Sequence, residues 1–361
     1  MPPDAPRPLR ILVIHYRYIG DTVLVVPFFR NLRAAHPHAR IVWALGPGDA
    51  DVVKGIPYVD EIKLWDPGKK NRNHSAPHRT LRAKLAFFCE LRREHFDKCY
   101  ILKRSVASAL LGFASGSSER IGFDTEWRRP LLTRGVPYRR DQHEVENLLD
   151  VLRADGISPA DKRLELWVSP DEQAAAADFL AHHGVHTGEK LVALHPFATN
   201  EPRAWHEDDF AEVARALQKE HGARALIFGG KPDQANAERL RAKIDPLALN
   251  IAGQTNLRQS IALLSRCVLM IGNDSGIMHL AAALGIPLIA LFGPGAPSRF
   301  GPWTDQARVI YHNFPCSPCR QKFFLDCTPS ARQKPPCVEA ISVSQVLSAV
   351  HALGVFPSAD A

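Results

Sequence analysis

The chain has 361 residues, 45% apolar and 23% charged, the balance of a soluble globular protein with length enough for two domains. No apolar run reaches the roughly 18 to 20 residues that span a bilayer, and the opening "MPPDAPRPLR" lacks the apolar core of a signal peptide, so a cytoplasmic protein is expected. The net charge of +7 is uneven: up to Glu165 there are 28 Lys and Arg against 20 Asp and Glu, and after it 17 against 18. A basic first half suits an acidic partner, whether nucleic acid, a phosphorylated substrate or an anionic membrane surface.

In chain order, "RILVIHY" reads as a buried strand and "DTVLVVPFFRNLRAAHP" as one helix with apolar residues at helical spacing. Strands follow at "ARIVWALG", "DEIKLW", "DKCYIL" and "ERIGF", with helices near 81–93, 105–113 and 143–153. After the connection "LELWVSPDEQAAAADFLAHHGVHTGEK" the pattern repeats, with strands at "KLVALHP", "ARALIFGG", "LNIAG", "CVLMIG", "IPLIALFG" and "RVIYH". Helices near 208–220, 234–244, 257–265 and 277–284 separate them. This alternation predicts an α/β fold of two Rossmann-like, doubly wound domains, 1–165 and 185–340, facing across a cleft. A helix within 341–356 is expected to pack back on the first domain, and the tail "FPSADA" to be disordered. No GxGxxG follows either opening strand, which argues against a nicotinamide-binding domain.

The stretch "CVLMIGNDSGIMHLAAALGIPLIALFGPG" is the most informative. It reads as strand, helix, strand, with both strands ending in glycine-rich turns. In an open parallel sheet such turns form the ligand edge. Asp274 or Ser275 is placed to cap a helix that starts past Gly276, and its free N–H groups suit a phosphate. His279 lies one turn beyond Ser275 on the same face. Upstream, "HPFATNEPRAW" leaves a strand as a loop, where Thr199 offers a hydroxyl and Arg203 a forked grip on phosphate. Gly229, in "IFGGKPDQ", lets the next loop approach a nucleotide closely. In the first half, Gly20 turns the chain after the opening strand. Asp21 follows it, read either as a helix N-cap or as a carboxylate able to take a proton from a substrate hydroxyl.

Two further features stand apart. Cys316, Cys319, Cys327 and Cys337 give C-x2-C-x7-C-x9-C, which resembles a structural zinc site, although only the first pair has firm metal spacing. Zinc ligands and free thiols both remain open. The basic stretch "PGKKNRNHSAPHRTLRAK" reads either as a solvated connection or as a patch meeting a phosphorylated, membrane-embedded acceptor.

Taken in order, these motifs resemble the bacterial lipopolysaccharide heptosyltransferases, glycosyltransferase family nine. "GNDSGIMHLAAALGIPLIALFGPG" resembles the signature of that family, "YIGDTVLVVPFFRNL" its opening loop and helix, and "HPFATNEPRAW" its donor-phosphate loop. The resemblance implies a GT-B enzyme that inverts the anomeric centre, requires no cofactor and has no metal in its active site. It implies a nucleotide-diphospho-heptose donor, usually ADP-linked, on the second domain. It also implies a lipid-linked phosphorylated oligosaccharide acceptor on the first, reached at the cytoplasmic face of the inner membrane, and no nucleic-acid partner. Carried over, Asp21 is the general base, Arg203 binds the diphosphate, and Asp274, Ser275, Gly276 and His279 form the donor turn and helix. Two departures are visible: Arg203 stands where many members have lysine, and "GGKPDQ" lacks the glutamate often found behind those glycines. The alternatives are a transferase of another nucleotide sugar, a hydrolysing sugar-nucleotide epimerase and a non-catalytic binding protein of the same fold.

Overall fold

The computed structural model describes residues 7–16, 18–67, 77–319 and 321–356. The chain divides into two compact units, Met1–Arg163 and Leu164–Ala361. In the first, strands β1 (Arg10–Ile14), β2 (Arg40–Leu45), β3 (Glu61–Leu64), β4 (Lys98–Ile101), β5 (Glu119–Phe123) and β6 (Arg134–Val136) form one parallel sheet. Its order is β3-β2-β1-β4-β5-β6. In the second, β7 (Leu191–His195), β8 (Arg224–Ile227), β9 (Leu249–Asn250), β10 (Leu269–Asn273), β11 (Leu288–Phe292) and β12 (Ala307–Tyr311) run β12-β11-β10-β7-β8-β9. The two orders are the same doubly wound pattern. The winding reverses between β1 and β4 in one sheet and between β7 and β10 in the other, and ligands of such sheets bind outside the carboxyl ends at that point.

The unbroken apolar runs are explained by burial on both sheet faces. Ile11 to Ile14 and Ile41 to Leu45 have no exposed surface, and Leu269 to Ile271 and Leu288 to Ala290 are likewise sealed. Each fully buried aliphatic side chain contributes about 1.5–3 kcal/mol.

Several boundaries differ from those expected. The single helix read over 21–37 is two, Ile19–Leu24 and Val26–Ala35. Pro27 is the cause: it has no N–H to donate, and its ring would strike the carbonyl of Val23 in a continuous helix. The short edge strand β6 was absent from the sequence reading, because three residues carry no periodicity. The connecting stretch belongs to the second unit as the helix Pro170–His182. Ser169 and Glu172 form a capping box at its start, and Arg258 pairs with Glu172 and donates to the Trp167 carbonyl at 2.6 Å. The C-terminal helix Val343–Leu353 packs within the second unit. Its Val346 and Val350 are buried in the second unit's core beside β11 and the helix Glu207–His221. Of the basic stretch, 68–76 lies outside the described residues, as does 357–361 of the tail; the helix Leu81–Arg93 that follows the basic stretch is capped by Thr80, whose hydroxyl accepts from Ala83 N at 3.2 Å. Among the described residues no helix is long and apolar enough to cross a membrane.

Candidate active site

The second unit's reversal point is bridged by side chains from both strands. β10 ends at Asn273, Asp274 follows, and the helix Gly276–Ala283 begins with Ser275 at its N-cap position. Ser275 makes no side-chain cap bond. Its hydroxyl is instead hydrogen-bonded to His195 Nδ1, at the end of β7, at 3.2 Å. Burial drives the His195 imidazole down to about 4, so the ring is neutral at pH 7. The helix N-terminus therefore faces this edge without a side-chain cap, and its N–H groups and partial positive charge favour an anion. His279, one turn inside the helix, is 6% exposed.

The loop after β7 brings Arg203 to the same edge. Arg203 closes a short 3₁₀ turn, Glu201–Arg203, and its Nη2 donates to the Asp274 carboxylate. Arg203 Nε is buried with no hydrogen-bond partner. Asp274 is raised above the usual carboxylate range, because burial outweighs the opposing pull of Arg203. Gly295, in the turn after β11, makes this burial fit: a Cβ there would stand 2.6 Å from Asp274 Oδ2. The two glycine-rich turns of the sequence motif thus close on one carboxylate.

Four contacts hold the loop behind Arg203. Trp205 N donates to Asn273 Oδ1 and its indole Nε1 to the Ile341 carbonyl, both at 3.0 Å. Lys334, itself buried, pairs with the Glu201 carboxylate and donates to the Glu201 carbonyl at 3.2 Å. Neither Asn273 nor Lys334 was picked out by the sequence reading; a buried asparagine at a strand end was the one available signal. Gly229 is packed closely on its own loop. A Cβ there would stand 2.9 Å from the Phe197 ring, so the glycine admits a neighbouring side chain. Thr199 is exposed on the loop.

In the first unit, Gly20 and Asp21 lie in the first turn of the helix Ile19–Leu24, next to the reversal point. Tyr18, not Asp21, occupies the N-cap position, and Asp21 is half-buried within the turn. This edge is basic. Lys103, two residues past β4, donates to the Tyr16 carbonyl at 2.9 Å. Arg104 stacks 3.8 Å over Tyr138. Arg128, fully buried, donates to the carbonyls of Phe123 (2.7 Å) and Lys103, and burial lowers it to about 10.

The four C-terminal cysteines, all free thiols, line one cavity of about 450 Å³ with Pro294 and Phe323. Burial, then the neighbouring thiols, pushes Cys337 up to about 11. A tetrahedral zinc with Zn–S near 2.3 Å needs sulfurs about 3.8 Å apart. Among the described residues, no three of these sulfurs lie within 4.8 Å of one another, so of the two readings the free thiols match this arrangement and a tetrahedral zinc site does not.

Two doubly wound units with the same strand order, each reversing once, are the architecture of the GT-B glycosyltransferases. The family model for glycosyltransferase family 9 (heptosyltransferase) matches residues 84–325, and the chain belongs to this family. Lipopolysaccharide heptosyltransferase 2 of Salmonella typhimurium is 30% identical over 318 residues, covering 84% of this chain and 88% of that protein. The glycosyl transferase family 9 structure from Veillonella parvula superposes with a TM-score of 0.81 at 24% identity, over 96% of this chain and 97% of that one. The structure of E. coli ADP-heptose lps heptosyltransferase II superposes with a TM-score of 0.76 at 24% identity, over 96% and 98%. The protein is a heptosyltransferase of lipopolysaccharide core biosynthesis.

Proposed function

We propose that the chain moves a heptose from ADP-heptose to a lipid-linked, phosphorylated core acceptor by one inverting displacement. The observation that carries this reading is the pairing of an arginine with a helix N-terminus at the second unit's reversal point. The donor is bound there, its diphosphate taken by Arg203 and the N–H groups at Gly276. Asp274, Ser275, Thr199, His279 and the Gly229 loop complete the donor set. An acceptor hydroxyl, bound on the first unit beside Gly20, loses its proton to Asp21 and attacks the anomeric carbon from the face opposite the diphosphate. The charge on the departing ADP is met by Arg203 and the helix, so no metal is required for it. ADP as the nucleotide is supported by the E. coli relative, an ADP-heptose heptosyltransferase. The basic edge formed by Lys103 and Arg104 supports a phosphorylated acceptor, met at the cytoplasmic face of the inner membrane.

Calorimetric titration with ADP, UDP, GDP and CDP in the presence of chelator tests the donor. ADP binding that leaves the other three at least tenfold weaker is expected. Preference for UDP would move the reading to another sugar transfer.

A further inference from the structure

Away from both reversal points, two histidines and a carboxylate converge at the end of the helix Glu207–His221. Glu220 and His221 are its last two residues, and Gly222, at φ 65°, turns the chain away. His351 arrives from the C-terminal helix Val343–Leu353, which packs alongside. Glu220 Oε2 lies 3.8 Å from His221 Nε2 and 3.5 Å from His351 Nε2. The three ligand atoms all lie within 4.8 Å of one another.

These separations are too long for good imidazole–carboxylate hydrogen bonds, which fall near 2.7–3.2 Å. They are close to what an ion between the groups would require. His221 Nε2 is buried and has no hydrogen-bond partner. The His221 ring is stacked on Phe356, with centroids 4.4 Å apart and planes 5° from parallel, so this nitrogen cannot readily turn to water. A fixed, buried nitrogen beside a carboxylate and a second imidazole is an incomplete ligand shell.

We propose that Glu220, His221 and His351 bind a divalent transition-metal ion of the zinc class, clasping the C-terminal helix to the helix Glu207–His221. Two imidazoles and one carboxylate are donors that zinc takes at about 2.0–2.2 Å, leaving a fourth position for water. Tetrahedral ligation at those lengths places ligand atoms about 3.3 Å apart. Only the two more exposed side chains need to rotate to reach it: Glu220 is 44% and His351 57% exposed. His221 keeps its place on Phe356.

The test is titration of chelator-treated, full-length protein with Co²⁺ and Zn²⁺, in wild type, His351→Ala, Glu220→Gln and a Cys316→Ser/Cys319→Ser double variant. One equivalent of Co²⁺ is expected to give visible ligand-field bands without the intense near-ultraviolet absorption of a cobalt–thiolate bond. Binding should persist in the cysteine variant and weaken at least tenfold in both His351→Ala and Glu220→Gln. Zn²⁺ should raise the melting temperature of wild type and not that of His351→Ala; the metal-free melts of the two should coincide, since His351 is exposed. Binding unaffected by His351→Ala would overturn the proposal. So would binding that disappears in the cysteine variant, or no binding to wild type.

Discussion

Arg203 and Asp274 are 71 residues apart in sequence and form an ion pair across the reversal point of the second sheet. The pair joins the loop after β7 to the turn after β10, and Gly295 closes over it. Burial raises Asp274, so the carboxylate by itself is poorly solvated and Arg203 offsets that cost. An incoming diphosphate carries more negative charge than Asp274 and competes for the same guanidinium. Arg203→Ala should therefore weaken ADP binding by about 1.5–3 kcal/mol, or about 10- to 150-fold in Kd. Arg203→Lys should recover part of the loss, because lysine keeps the charge and lacks the fork. Unchanged ADP affinity in Arg203→Ala, measured calorimetrically, would remove Arg203 from the donor site.

Asp21→Asn separates chemistry from folding. Because Tyr18 holds the N-cap position, Asp21 is not needed to start its helix. Its charge at the first turn adds only about 0.3–1 kcal/mol of stability. Loss of a general base should lower kcat about 100- to 10,000-fold, while ADP affinity stays within about twofold and the melting temperature shifts by a few degrees at most. A large loss of stability without a specific loss of kcat would make Asp21 a structural residue.

If the proposed donor site is right, Lys334 acts on the donor through Glu201. It is buried and reaches back to the turn that carries Arg203, whereas the Glu201 side chain is 76% exposed. In Lys334→Met the cation is gone and the glutamate remains in water, so little is left buried and unpaired. We expect KM for the donor to rise about three- to tenfold, on the order of 1 kcal/mol of lost positioning, with kcat nearly unchanged. A fall in kcat with constant KM would show that Lys334 does not act through the loop.

Much of the frame was legible in the sequence because parallel strands buried on both faces leave unbroken apolar runs. The glycine-rich turns "GNDSG" and "FGPG" lie at the carboxyl ends of β10 and β11, the sheet edge that their pattern implied. What was not legible depends on contacts distant in sequence. Ser275 reads as a helix cap from its neighbours, yet its hydroxyl goes to His195, 80 residues earlier. Gly229 reads as a ligand-facing turn, and only the fold brings Phe197 against it. Pro27 was visible in the sequence and should have divided the first helix. The cysteine spacing carried no information on how far apart the sulfurs stand. The C-terminal helix shows an apolar face without showing which unit it covers.

His195 makes stability depend on pH in a defined window. Burial lowers it from an ordinary 6.5 to about 4, so between those values the unfolded chain binds a proton that the native chain refuses. Stability therefore rises with pH across that window, and acidification from about pH 6.5 to 4 should cost up to about 3 kcal/mol from this group. His36 and His78, also lowered by burial, act in the same direction, so the readout is the difference between wild type and a variant. Glu339, held at about 2 by Ser330, His206 and Arg332 against burial, loses its contribution only as pH falls below its ordinary 4.5. His195→Gln keeps a polar partner for Ser275 and removes the titration. Its stability should vary less than that of wild type between about pH 5 and 7, by roughly 1–2 kcal/mol, in urea midpoints at constant slope. Ser275→Ala should leave the pH dependence of stability close to wild type, since burial rather than the hydroxyl sets the shift. Equal pH dependence in wild type and His195→Gln would mean that the imidazole titrates normally and that this edge of the site is open to water.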